Sequence, residues 1–425
     1  MKILWNLLNY FVFLYPLYMS FIWTIGGLSF FLRRERKPYP ALEEYPFFSI
    51  LIPAHNEEKN IVDTVCNLAQ LEYPRYEVVV IDDGSTDTTG ITLDELVEKN
   101  SRWLKVVHLT PNSGKARALN AGLLFTEGEL VLVMDADCFL GKDTLKALAW
   151  HFVNYPRVAA VTGNPRIINR TSLLGKVQVG EYSSIIGLIK RSQRILGKIL
   201  TVSGVIAAFR KGALCECGLF DADTVTEDID ITWKLQKHFW EVRYEPRALC
   251  WILAPETLRG FWRQRVRWAQ GGVEVIKKHF DVWYDWRQRR FWPVYVDYLG
   301  GVVWAFSLGL LVVSWMVSFI LFNFGFIAVK PTQPFVPPAW TGAILALVCL
   351  VQFVVSLFID YHYEDRRLLK YYFWVIWYPF FYWVISALAV FAGTFNVFIG
   401  KEGVSVKWES PDRGFHTLKS STNRS

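Results

Sequence analysis

The chain has 425 residues, 52% of them hydrophobic and 16% aromatic, with a formal net charge of +7, enough length for one large domain plus a membrane part. The surplus of cations does not point to nucleic acid. No zinc-knuckle or basic-leucine pattern accompanies it, and many of the cations flank long apolar runs, where anionic headgroups account for them. The six cysteines include no CxxC pair and the seven histidines are scattered, which excludes the usual zinc spacings and leaves the five cysteines of the polar region as expected free thiols of a reducing compartment.

Residues 8–32 carry no charge, over a length sufficient for the roughly 20 residues that cross a bilayer. The run is too long for a secretory signal and lacks a small-residue cleavage site. Arg33, Arg34, Arg36 and Lys37 follow it, so it reads as a permanent anchor with the next region on the cytosolic side.

Beyond Pro46 short β-branched runs alternate with helical patterns as far as Pro255. Residues 48–52, 77–81, 104–109, 130–134 and 158–162 read as buried strands, and 57–70, 115–124 and 143–153 as helices. The rhythm predicts a mainly parallel, doubly wound α/β sheet, whose ligands collect at the carboxyl ends of the strands. Asp82-Asp83-Gly84-Ser85 closes the second strand and Asp135-Ala136-Asp137 the fourth, so two carboxylate pairs fall at that edge. Asp87 and Asp143 also fit the plainer role of helix caps.

Magnesium is usually held by one or two carboxylates plus substrate phosphates, and Asp135 and Asp137 can both reach one ion where the chain turns. DxD alone is a weak motif; beside PAHNE after the first strand and DDGSTD after the second it is strong. Lys115, in NSGKA, ends no P-loop: Leu109 and Ala116 stand where glycine and Ser/Thr are required, and no GxGxxG follows the first strand. It suits a diphosphate contact, or an ordinary surface lysine. In Thr226-Glu227-Asp228 one acid can cap the following helix, or Asp228 can act as a general base within reach of a substrate hydroxyl.

At about 100° per residue, Gln264, Arg267 and Trp268 share one helix face, while Trp262, Val266, Ala269, Val273, Ile276 and Phe280 form the opposite, apolar one. Such a helix suits a bilayer surface. Further apolar runs cover 296–329, 340–359 and 371–399; several spanning runs exclude a purely peripheral lipid-binding protein. Three crossings here would place the cations of the tail outside, against the positive-inside rule. Pro379 and the length of the 296–329 run therefore mark candidates for a re-entrant or double segment. The chain divides into an anchor (1–37), a cytosolic α/β domain (45–257), amphipathic interface helices (258–295), a transmembrane bundle (296–400) and a polar tail (401–425).

The ordered set PAHNE, DDGSTD, NSGKA, DAD, TED and QRVRW resembles the processive family 2 glycosyltransferases. The stretches TGNPRI from Thr162, VGEYSSIIGLIKR from Val179, VSGVIAAFR from Val202, EPRALCWI from Glu245, QRVRWAQGG from Gln264 and SPDRG from Ser410 look like the poly-β-1,6-N-acetylglucosamine synthases of the PgaC and IcaA type. The resemblance implies a Rossmann-like GT-A domain between transmembrane helices in a bacterial inner membrane. It implies that Pro53, Ala54, Glu57 and Asp83 hold the uridine of UDP-N-acetylglucosamine, Lys115 the diphosphate, and Asp135 and Asp137 the ribose-diphosphate and Mg2+ or Mn2+. Asp228 is then the base, Gln264 and Arg267 contact the diphosphate, Trp268 stacks under the acceptor end of the growing poly-N-acetylglucosamine, and Ser203 and Gly204 lie near that acceptor. A small membrane subunit of the PgaD or IcaD type is the implied partner. No carboxyl-terminal domain of the cyclic-di-GMP-binding kind is expected, and regulation by that nucleotide is then expected to use a site elsewhere. A chitin- or hyaluronan-type synthase, a non-processive lipid-linked sugar transferase and a secretion pore with an inactive transferase domain are the alternatives.

Overall fold

The computed structural model describes residues 2–36, 41–328, 340–364, 366–376 and 378–399; the proline-rich loop 330–338 and the tail 401–425 lie outside the described residues. An eight-stranded sheet is built from β1 (Phe48–Ala54), β2 (Tyr76–Asp83), β3 (Leu104–Leu109), β4 (Leu130–Met134), β5 (Cys138–Leu140), β6 (Val158–Ile167), β7 (Ile206–Arg210) and β8 (Glu241–Ile252), in the order β3-β2-β1-β4-β7-β6-β8-β5. Because successive side chains point to opposite faces, Ile50, Ile52, Val78, Val80, Leu130 and Leu132 enter one core and Leu51, Val79, Ile81, Val131 and Val133 the other. Helices Ile61–Leu68 and Thr144–Asn154 cover the first face, Lys115–Leu123 and Glu227–Lys237 the second. Strands apolar at nearly every position are what a sheet buried on both sides requires.

The expected parallel arrangement holds for β3-β2-β1-β4 and not beyond it. β7 runs antiparallel to both β4 and β6, and β5 antiparallel to β8, while β6 and β8 are parallel. The whole sheet is therefore mixed. This reversal matters for the site: Met134, at the end of β4, pairs with Ile206, at the start of β7, so the Ser203-Gly204 turn reaches the same edge as Asp135 and Asp137.

Among the described residues, three helices are long and apolar enough to cross a membrane, Trp5–Glu35, Trp292–Asn323 and Gly342–Asp360, and a shorter apolar helix covers Trp383–Ile399. Trp292–Asn323 is one continuous helix, so its length does not come from two passes. The 371–399 run is broken: a 3₁₀ turn, Arg366–Tyr371, and a short helix, Tyr372–Val375, precede Tyr378–Ile399. Pro379 falls in the first turn of that last helix, where its missing N–H costs no hydrogen bond.

The QRVRW segment lies in helix Leu258–Lys278, started by the Thr257 hydroxyl accepting from the Gly260 N–H at 3.1 Å. Its apolar face is not all open to lipid. A Cβ on Gly393 of the last helix would lie 2.6 Å from Gln270 N and 3.1 Å from Ala269 Cβ, so glycine lets these two helices touch. Ile276 packs on Trp233 and Tyr295; Trp262 and Phe280 remain exposed.

A buried ionic network ties the apolar helices to the sheet. The Arg191 guanidinium donates to Glu35, at the end of the first apolar helix, at 2.6 Å and lies 3.0 Å from Asp360. Arg166, on β6, pairs with Asp360 and Glu364, and the Tyr363 hydroxyl donates to Glu35 at 2.5 Å. Removing one member of such a set leaves uncompensated buried charge. Arg191→Leu is accordingly expected to lower stability by about 3–5 kcal/mol, read as a fall in the unfolding midpoint of the detergent-solubilised protein. A midpoint within error of wild type would contradict this role.

Candidate active site

The loops after β1 and β2 are tied crosswise. Asn56, at a left-handed φ of 56°, donates its N–H to the Ser85 hydroxyl at 3.0 Å and accepts the Thr86 N–H on its side-chain oxygen at 2.8 Å. Glu58 accepts from the Thr88 hydroxyl at 2.8 Å, and Asp87 accepts the Thr89 N–H at 3.0 Å. Pro53, Ala54 and Glu57 are buried at this junction, the Glu57 N–H donating to the Thr89 hydroxyl at 2.8 Å. Asp83 is fully buried. Its carboxylate accepts the Ser113 N–H (2.8 Å), the Ser113 hydroxyl (2.7 Å) and the Gly114 N–H (2.8 Å), so it shapes the NSGKA loop and aims Lys115. Asp82 accepts the Ser85 N–H and meets His108 at 3.0 Å. The DD pair thus builds two turns at the sheet edge.

Lys115 stands among acids. Its ammonium donates to Asp135 at 2.6 Å and to the Gly204 carbonyl at 3.2 Å, and lies 3.1 Å from Glu227. Burial works against this charge, but Asp135 and Glu227 outweigh burial and hold its pKa above the usual range. Asp228 accepts the Gly204 N–H at 3.1 Å and its own helix's Ile229 N–H at 2.9 Å. Burial, then the Glu227 charge, pushes the Asp228 carboxyl up to about 6, with Lys115 and Arg267 pulling the other way. Helix Leu258–Lys278 is clamped to this corner: Glu274 accepts the Val225 N–H at 2.8 Å, and Lys278 meets Asp221, Asp223 and Asp230 at 2.6, 2.8 and 3.2 Å.

Asp135, Asp137 and Cys138 offer ligand atoms within 4.8 Å of one another. Burial keeps the Cys138 thiol protonated, its pKa well above normal, so the usable donors are carboxylate oxygens, a set suited to a hard divalent cation. The second acidic cluster, Asp221, Asp223 and Asp230, already surrounds the Lys278 ammonium.

The structure brings Lys115, Asp135, Ser203, Gly204 and Asp228 into one cleft, with Arg267 close enough to act on Asp228. The Gln264 amide oxygen is buried without a hydrogen-bond partner among the described residues; a ligand donor would satisfy it, whereas a phosphate would require the amide turned to present its N–H groups. Trp268 is half-buried against the first core, its ring covered by the Arg265 guanidinium at 4.2 Å, which in turn pairs with buried Glu181 at 2.7 Å.

Sequence reasoning gave no role to Arg265 or Lys190, and to Glu227 only that of a candidate helix cap. Lys190 is buried, donates to the Ser203 hydroxyl at 2.6 Å, and is held by burial at about 7 against the opposing pull of Asp228. The available signal was a lysine in an otherwise apolar and small-residue stretch, VGEYSSIIGLIKR.

The Glycosyl transferase family 2 profile matches residues 49–218. Poly-β-1,6-N-acetyl-D-glucosamine synthase of Staphylococcus epidermidis is 36% identical over 416 residues, 96% of this chain and 99% of that protein. The chain belongs to the poly-β-1,6-N-acetyl-D-glucosamine synthase family of glycosyltransferases. The Staphylococcus aureus (strain COL) member is 37% identical over 413 residues, 95% of this chain and 98% of the relative. The mannosyltransferase PcManGT from Pyrobaculum calidifontis, solved with GDP-Man and Mn2+, shares the fold with a TM-score of 0.64 at 21% identity, over 93% of this chain and 100% of that one. The family chemistry thus falls on a GT-A domain joined to apolar helices.

A Cβ on Gly204 would lie 3.2 Å from the Asp228 carboxylate and 3.4 Å from the Lys115 ammonium. Gly204→Val is therefore expected to cut turnover about 100-fold by displacing the two groups while leaving the unfolding midpoint nearly unchanged. Turnover within about twofold of wild type would mean that this approach does not position them.

Proposed function

We propose that this membrane glycosyltransferase polymerises N-acetylglucosamine from UDP-N-acetylglucosamine into a β-1,6-linked chain by single-displacement, inverting transfer. Asp228 accepts the proton of the acceptor's 6-hydroxyl as that oxygen attacks the anomeric carbon and UDP departs. The observation that carries this reading is a recessed carboxylate raised to about 6 beside Lys115, Glu227 and the Gly204 N–H. A base with that proton affinity is ionised at neutral pH yet still takes up a proton effectively. A divalent cation, magnesium or manganese, held by Asp135 and Asp137 would offset charge on the leaving diphosphate. Lys115 and Arg267 add positive charge on the same side, and Gln264 orients the diphosphate. Pro53, Ala54, Glu57 and Asp83 form and support the uridine recess. Trp268, stiffened by Arg265, offers its ring to the apolar C–H face of the acceptor sugar, with Ser203 and Gly204 alongside.

The printed names of the Staphylococcus relatives support the sugar and linkage. Placement in a bacterial inner membrane, with residues 45–257 cytosolic and several passes elsewhere, fits the cations after the first apolar run. Export of the polymer through the apolar helices fits the direct seating of helix Leu258–Lys278 on the last of them at Gly393. A small membrane subunit and control by cyclic-di-GMP belong to the same proposal.

Asp228→Asn is expected to lower turnover by about 10²–10⁴-fold while UDP binding persists. In the wild type kcat/KM should fall as pH drops through about 6, because the base becomes protonated. The sign for stability is opposite to that of a salt-bridged carboxylate. A folded-state pKa above the ordinary 3.8 means that ionisation opposes folding, so the asparagine variant should unfold at a higher temperature above pH 6, the gain vanishing as pH approaches 3.8. Retained turnover in the variant, measured as UDP release, would sink the assignment.

A further inference from the structure

A cavity of about 620 Å³ lies away from the cleft. Part of its wall is the start of β6 and β8, where Val158 pairs with Glu241. β4 and β6 both run antiparallel to β7, so the amino-terminal end of β6 is at the opposite sheet edge from Asp135 and Asp137. The other walls are the end of helix Ile189–Leu196 and the 3₁₀ turn Trp286–Arg290 that leads into the long apolar helix Trp292–Asn323. Arg157, Arg194, Lys198, Arg243, Arg287 and Arg290 line it, Arg287 with a partner of its own in Asp285 at 3.1 Å, and Glu241 is the lining carboxylate.

That carboxylate is spread thin. Glu241 accepts from Arg243 at 2.8 Å and lies 3.8 Å from Arg194. Burial and the Arg243 charge hold Arg194 down at about 10, with Arg34, in the last turn of the first apolar helix, adding to the effect. Burial, with Arg157 and Arg290 adding to it, holds Lys198 down at about 8. Cations this crowded in a recess raise the free energy of the fold unless an anion joins them. Guanidinium forks match phosphate oxygens in pairs.

We propose that this cavity binds a phosphate-bearing anion through Arg194, Lys198, Arg243 and Arg290, at a site separate from the donor cleft. A lipid headgroup fits the surroundings best. Phe291 and Pro293, at the start of one apolar helix, line the cavity, and Arg34 at the end of another is near enough to act on Arg194. Tyr284 and Trp286, on the segment that supplies lining residues Arg287 and Gln288, are 80% and 67% exposed, as aromatic side chains are at a membrane interface. A soluble phosphate would be recognised by the same groups.

The test uses the full chain in phosphatidylcholine nanodiscs, in discs that also contain phosphatidylglycerol, and in phosphatidylcholine discs supplied with pyrophosphate. The unfolding midpoint is read for wild type and for Lys198→Gln/Arg290→Gln. A rise of about 2 °C or more with phosphatidylglycerol, lost in the double variant, establishes the site with a lipid occupant. The same pattern with pyrophosphate alone establishes it with a soluble one. No rise with either probe overturns the proposal. So does a rise that survives in the double variant, which pyrophosphate bound in the donor cleft would produce. Should the double variant unfold without a cooperative transition in plain phosphatidylcholine, Arg290→Gln alone, at an exposed lining position, takes its place with the same outcomes.

Discussion

Four carboxylates, Asp135, Asp137, Glu227 and Asp228, gather at one edge of a buried sheet, with the Lys115 ammonium between Asp135 and Glu227 and close enough to act on Asp228. Negative charge gathered in a poorly solvated recess is costly, and most of the site follows from how that cost is met. Lys115 is locked in its charged form, Asp228 gives up part of its acidity, and the remaining demand for positive charge suits a divalent ion and the approach of Arg267. The same recess that raises the Asp228 pKa, as the proposed base role requires, makes this carboxylate a poor contributor to stability.

Holding that geometry requires supports remote from the reacting atoms. Asp83 contributes by holding the NSGKA loop, and Gly204 by having no side chain to press on Asp228. The helix carrying Gln264, Arg267 and Trp268 is fixed to the acidic corner through Glu274 and Lys278 and to the last apolar helix at Gly393. Its two faces therefore join the catalytic domain to the apolar helices, and the buried Glu35–Arg191–Asp360–Arg166 network makes a second junction. These contacts hold the catalytic domain and the apolar helices in fixed register.

Much of this was legible in the sequence, for identifiable reasons. β1, β2 and β4 are apolar at nearly every position because both their faces are buried, and each is followed by a polar turn at the candidate site. β7, IAAFR, is short and rich in alanine, and β8 contains Pro246 and several charges beside a register shift in β6; neither presents a strand period. Their pairing made the sheet mixed where a parallel one was expected. Lys190 and Arg265 escaped notice because their importance lies in burial against Ser203, Glu181 and Trp268, contacts between residues distant in the chain. The apolar face of the interface helix was read correctly as apolar, but which part meets protein and which lipid depends on helix Tyr378–Ile399, whose position no local pattern encodes.

The central claim is that this cleft extends a β-1,6-linked N-acetylglucosamine chain. Purified full-length protein, given magnesium and in turn each of a panel of UDP-sugars, should form polymer with UDP-N-acetylglucosamine and not with UDP-glucose or UDP-glucuronic acid, and methylation analysis of the product should find substitution at the 6-position. Transfer of a single sugar to lipid, or a polymer of another sugar or linkage, would contradict the account.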